Sequence, residues 1–200
     1  MRQRIKQARR AQVIALAAIV IASAVAGVVW LNRVDGNSDA GQTAHDRERA
    51  GFAVLSAANT NRCDLAAAEV RWMRDGMRLQ GSCCTAMDRS SYRAQLGGLR
   101  SYARRERGLV PVNPYDVPVD LAKRLLAYRT ITLDARQQAT YDRARGMSDL
   151  GGPCCCRCWR WQAFDGQARF LIARRHYSAS QVAQVWDLEE GCGGRSTTAT

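Results

Sequence analysis

The stretch CCCRCWRWQAFDGQARFLIARR, Cys154 to Arg175, sets four cysteines within five residues directly before a long apolar and arginine-rich run. Read at 3.6 residues per turn, the run places Trp161, Phe164, Ala168 and Leu171/Ile172 on one stripe, which predicts an amphipathic helix. Extending the same period backwards makes the cysteines its first turn. Cys154, Cys155 and Cys158 then share a face, and Cys156 points away. At a helix start, exposed amides and the helix dipole favour thiolate over thiol.

Working outward, the neighbouring segments also read as helices. One is expected over Cys63 to Leu79, with Leu65, Ala68, Trp72, Gly76 and Leu79 on a stripe. A second is expected over Cys83 to Gly108, with Thr85 and Asp88 in capping-box spacing and a stripe of Tyr92, Leu96, Leu99 and Tyr102/Ala103. Gly97 and Gly98 mark a break or a close approach there. VPVNPYDVP, Val110 to Pro118, holds three of the four prolines and predicts an extended connection. Pro118 would open the next helix. Asp134 with Gln137, and Ser178 with Gln181, are capping boxes, and Gly191 reads as a helix C-terminal glycine. No run alternates at period two. The fold class is therefore all-α: an N-terminal transmembrane helix plus an irregular five- to six-helix bundle over residues 49–194.

The N-terminus carries the anchor signal. Five basic residues lie within residues 1–11, and no charge follows between Arg10 and Arg33. About 20 apolar residues cross a bilayer core, so residues 12–31 are expected to span it, with Trp30 at an interface. Ala22–Ala24 and Ala24–Ala26 are small-x-small sites of a cleaved signal peptide, but the apolar run continues past them to Leu31, which favours an anchor. Residues 32–48 read as a polar linker and 195–200 as a flexible tail. The basic end stays inside, so the expected location is a bacterial inner membrane, single-pass, with the C-terminal domain in the periplasm or outside. A membrane protein complex is an expected setting. The formal net charge is +12, but the basic residues outside the N-terminus are spread out, which argues against nucleic acid.

A domain of about 150 residues buries a core without covalent help, so the eight cysteines need another reason. Crowded thiolates suit a soft metal: Cu, Zn, Hg or an iron–sulfur cluster. The ligand candidates are Cys83, Cys84, Cys154, Cys155 and Cys158, with Cys63, Cys156 and Cys192 as additional thiols. The spacing matches neither a zinc ribbon nor a ferredoxin. Two alternatives stay open. Eight extracytoplasmic cysteines are also a framework of four disulfides in an interaction or assembly subunit. Cys155–Cys158 is a C-x-x-C pair, which allows thiol–disulfide exchange. Met73, Met77 and Met87 read as core filler, and the isolated His45 and His176 as surface groups. Asp187, Glu189 and Glu190 read as a solvated helix end. No catalytic residues stand out, and the balance leans away from an enzyme.

GPCCCRCWRW (152–161) and VWDLEEGCGG (185–194) resemble an uncharacterised bacterial, membrane-anchored family with a C-C-C-x-C-W motif and a C-G-G ending. The resemblance extends through LQGSCC (79–84) and NPYDVP (113–118), over roughly residues 75–194. It implies that the cysteines act as one unit and carries no activity with it.

Overall fold

The structure is a computed structural model and describes residues 43–193. The basic segment 1–11, the expected membrane span 12–31, residues 32–42 of the linker and the tail 195–200 lie outside the described residues. Among the described residues, no helix is long and apolar enough to cross a membrane. The chain divides after Arg49 into two units. In the first, residues 43–49 are helical, with Arg47 Nε donating to the Thr43 carbonyl at 3.1 Å, so the linker's last residues are helix. Residues 50–57, in the second unit, are helical (α1).

The second unit, from Ala50, is mostly helical, as the periodicity predicts, but its first third departs from the expected helices. The helix expected over Cys63 to Leu79 is only α2, Ala67–Trp72, burying Ala67 and Val70. Trp72, placed on the inward stripe by the sequence reading, is 89% exposed. The chain leaves helical geometry at Met73 and turns at Gly76, whose φ of +83° suits glycine. It then enters β1, Arg78–Gln80. This pairs antiparallel with β2, Asp116–Pro118, in the register Leu79↔Val117. Leu79 and Val117 are fully buried. Three-residue strands are too short to show alternation, and each needs a partner 38 residues away.

α3 spans Arg89–Arg105. Its N-cap is Asp88, which accepts from the Ser91 amide at 2.7 Å, not Thr85. The helix runs unbroken through Gly97 and Gly98. At Gly98 a Cβ would lie 2.4 Å from Leu188 Cδ2, so this glycine permits a close approach.

The remaining helices build the main core. α4, Val119–Ala127, continues into a 3-10 turn at Tyr128–Thr130; α5 is Ala135–Met147, α6 Trp159–Arg175 and α7 Ala179–Glu189. Both predicted capping boxes at Asp134 and Ser178 form. α6 is buried on most of its circumference. A Cβ at Gly166 would sit 2.1 Å from the Leu125 carbonyl, so α4 and α6 pack with their backbones nearly touching. Trp186 on α7 donates to the Phe164 carbonyl of α6, and Tyr141 of α5 meets its ring edge-on. This packing fixes the start of α6, where the cysteines lie.

Candidate metal centre

The four-cysteine stretch is not helical. Gly151 and Gly152 have φ of +67° and +153°, and Cys158 is the extended N-cap of α6. The expected first turn of Cys154, Cys155 and Cys158 is thereby corrected to an irregular loop. Its reason is non-local bonding. The Trp159 amide donates to the Leu65 carbonyl at 3.0 Å, and its indole Nε1 donates to Asn61 Oδ1 at 3.0 Å. Asn61 Nδ2 in turn donates to the Gly81 carbonyl at 2.9 Å. These bonds bring the Asn61–Leu65 loop, with Cys63, against the start of α6. They also free Cys156 to reach Cys63, a contact that the helical reading does not give.

A second seam brings in the other cysteines. The amides of Cys83, Thr85 and Asp88 donate to the carbonyls of Gly191, Cys192 and Gly193 at 3.0, 3.0 and 2.7 Å. The Thr85 hydroxyl, expected to cap α3, donates to the Cys192 carbonyl at 2.6 Å. Gly193 has φ +110°, and a Cβ there would lie 2.3 Å from Thr85 Oγ1. Gly191 is not the left-handed helix terminator expected, because α7 ends through an extended Glu190. Its Cβ would collide with the Arg160 guanidinium at 2.4 Å. The C-G ending is therefore glycine on both sides of Cys192 for packing.

Seven of the eight sulfurs meet. Cys63 and Cys84 form a disulfide, with Cα atoms 6.0 Å apart. Cys156 Sγ is 3.2 Å from Cys63 Sγ, and Cys155 Sγ is 3.2 Å from Cys84 Sγ. Cys192 Sγ lies 3.0 Å from Cys155, 3.2 Å from Cys154 and 3.6 Å from Cys83. Cys83 and Cys84 sulfurs are 3.5 Å apart, and Cys84 and Cys156 sulfurs 4.0 Å. Cys158 is buried in the same cluster as Cys154 and Cys192, with Cys83 packed against it. Four sets have every sulfur within 4.8 Å of the others: Cys63/Cys83/Cys84/Cys156, Cys83/Cys154/Cys192, Cys84/Cys155/Cys192 and Cys154/Cys155/Cys156. Four ligands at about 2.3 Å around a tetrahedral ion stand about 3.8 Å apart, so these spacings suit shared ions. Cys158 belongs to no set. The three thiols taken as additional, Cys63, Cys156 and Cys192, belong to sets, and Cys192 has three other sulfurs within 3.6 Å. Bridged sulfurs are not thiolates; while the Cys63–Cys84 bond is closed, the ligating thiols are Cys83, Cys154, Cys155, Cys156 and Cys192.

The inner thiols share protons unevenly. Hydrogen bonds from Cys154 and then Cys83 hold Cys192 down at about 5. Those from Cys158 and Cys83 hold Cys154 at about 6. Cys83, donor to Cys154, Cys158 and Cys192, is pushed well up. Burial raises Cys155 to about 11 and Cys156 to about 12. Cys192, which accepts from both Cys154 and Cys83, is the sulfur held most readily as thiolate and so the readiest to ligate.

Behind the sulfurs lies a buried polar group that the sequence reading missed. Arg160 is fully buried; its Nη2 donates to the Pro114 and Glu189 carbonyls at 2.5 and 2.6 Å. Glu189, read as solvated, is also fully buried and accepts from Gln167 Nε2 at 2.6 Å. Burial pushes its carboxyl up to about 8, against the Gln167 bond and the Arg160 charge. Neither position differs in type from its exposed neighbours in sequence, so no local signal marks it. Met87 packs with Leu55, Tyr92 and Tyr115, and Met73 against the main core. His176 is the left-handed C-cap of α6.

No family model, curated protein or solved structure matches the chain. The centre's chemistry therefore stands on its geometry: a cysteine-rich cluster with the spacing to hold metal.

Proposed function

We propose that this protein is a membrane-tethered soft-metal-binding protein whose thiol cluster takes up a thiophilic ion. The observation that supports it best is the meeting of seven sulfurs from four segments remote in sequence at contact distances. A disulfide framework would separate them into pairs, each sulfur near one partner. Here Cys192 has three sulfur neighbours, and ions shared between thiolates relieve their mutual repulsion. The contacts also favour copper, zinc or mercury over a [4Fe–4S] cluster, in which each cysteine ends on a separate iron, with sulfide between them, and which needs wider-set thiolates. The span at residues 12–31 would hold the domain outside the inner membrane, where a partner complex would receive or deliver the ion.

The second reading is thiol–disulfide exchange. It is supported by the free thiols of Cys156 and Cys155, each 3.2 Å from one sulfur of the Cys63–Cys84 bond.

The discriminating experiment is thiol counting and metal analysis on full-length protein purified in detergent without oxidation. Bound copper or zinc, with thiols that become alkylatable only after chelation, is expected. Protein with four disulfides, no metal and no uptake of Cu(I) or Zn(II) after mild reduction would end the proposal.

A further inference from the structure

The four sulfur sets overlap in a regular way. Setting Cys63 aside, each set is a trio. Each of Cys83, Cys84, Cys154, Cys155, Cys156 and Cys192 belongs to two trios, and any two trios share one cysteine. Four points joined pairwise by six edges make a tetrahedron. Metal ions at the four trio centres would each have three sulfurs, and each sulfur would bridge two ions. We propose that these six thiolates form a cage for four Cu(I) ions, gated by the Cys63–Cys84 disulfide. This inference rests on the soft-metal reading above and specifies its ion and stoichiometry.

Coordination number and charge select Cu(I), and the spacing is compatible with it. Trios suit an ion content with three soft ligands, whereas zinc sites are almost always four-coordinate. With metal–sulfur bonds of about 2.3 Å, trigonal sulfurs stand about 4 Å apart. The pairs within trios lie between 3.0 and 4.0 Å where hydrogen-bonded, and all within 4.8 Å. Four monovalent ions with six thiolates leave −2, which the buried Arg160 cation beside Cys192 partly offsets. Four divalent ions would leave +2 next to the same buried cation, a repulsion that water does not screen.

The gate follows from Cys84, which is both an edge of the cage and a partner in the disulfide. While the bond is closed, the two trios containing Cys84 lack a ligand, and two complete trios remain. A dithiol reductant opens it. One reductant thiolate attacks a sulfur of the bond, the S–S bond breaks and the other cysteine leaves as thiolate. The second reductant thiol resolves the mixed disulfide. The reductant becomes a disulfide, and Cys63 and Cys84 together receive two electrons and two protons. Each thiol that then binds copper gives up its proton.

The test is anaerobic titration of full-length protein in detergent with Cu(I), followed by native mass spectrometry. Dithiol-reduced protein should pass from metal-free to four ions with little population between. Protein with the bridge closed should stop at two. Cys63→Ser should take four without any reductant, and Cys158→Ser should also take four. Cys155→Ser, at an exposed position that spares the fold, removes one edge and should stop at two. A saturating load of one ion, equal loads in closed and open protein, or four ions in Cys155→Ser would overturn the cage while leaving soft-metal binding intact. No copper in any state would overturn both.

Discussion

Cys154–Cys158 and Trp159–Arg175 are adjacent in sequence and opposite in how their structure is determined. The helix satisfies its backbone internally and follows the period of its apolar residues. The loop before it takes its shape from partners elsewhere: Cys63, Cys84 and Cys192 through its sulfurs, and Asn61 and Leu65 through Trp159, where it joins the helix. The helical element is legible from local chemistry; the functional one is set by remote contacts. The two can be perturbed separately.

The largest effect should come from the helix side. Gly166→Val forces a branched side chain against the Leu125 carbonyl, which even a Cβ would approach to 2.1 Å. Overpacking of this kind costs typically about 1–3 kcal/mol, and more where backbone must move. Urea unfolding should report a loss at or above the upper end of that range, with metal content of the remaining folded protein unchanged. Loss of metal at full stability would show that the helix packing and the centre are not separable as described.

On the loop side, Gly193→Ala meets both a left-handed φ and the Thr85 backbone oxygen at 2.6 Å. Strain of about 1–3 kcal/mol is expected. Here the seam carrying Cys192 should open first, so metal affinity should fall by more than the change in unfolding free energy accounts for. Equal changes in the two would place the seam within the global fold instead.

Removing metal should sharpen the same contrast. Hydrogen exchange after chelation should speed at the amides of Cys83, Thr85 and Trp159, whose partners are remote. The amides in the middle of α6 should keep their protection. Uniform loss along α6 would contradict this.

A smaller effect is expected from pH. The folded carboxyl of Glu189 titrates near 8 against an ordinary 4.5. Its folded state binds a proton that the unfolded chain has lost, so its contribution is full below about 4.5 and disappears as pH rises through about 8. Glu189→Gln should remove this component of the alkaline decline in stability between about pH 5 and pH 9. A parallel decline in the variant would locate the loss elsewhere.

The sequence was informative where one residue and its near neighbours decide the outcome. The capping boxes at Asp134 and Ser178 form because side chain and amide lie three residues apart. The stripe from Phe164 to Ile172 is buried as read. Thr85 misled because its hydroxyl has a remote acceptor, the Cys192 carbonyl, and Asp88 takes the cap. The β1–β2 ribbon joins segments 38 residues apart, which no local period reveals. That the cysteines form one unit is what the resemblance implies; which sulfurs touch is not legible, because the helical geometry expected for Cys154–Cys158 turns Cys156 away. Arg160 and Glu189 look like surface residues until α6 and α7 are docked.

One all-sulfur centre, assembled from four segments remote in sequence, is proposed to bind a soft metal. X-ray absorption at the copper edge of reduced, copper-loaded full-length protein tests it most directly. A first shell of sulfur alone is expected, at a distance close to the ~2.3 Å of metal–thiolate bonds. A shell containing nitrogen or oxygen ligands, or no bound copper to measure, would contradict it.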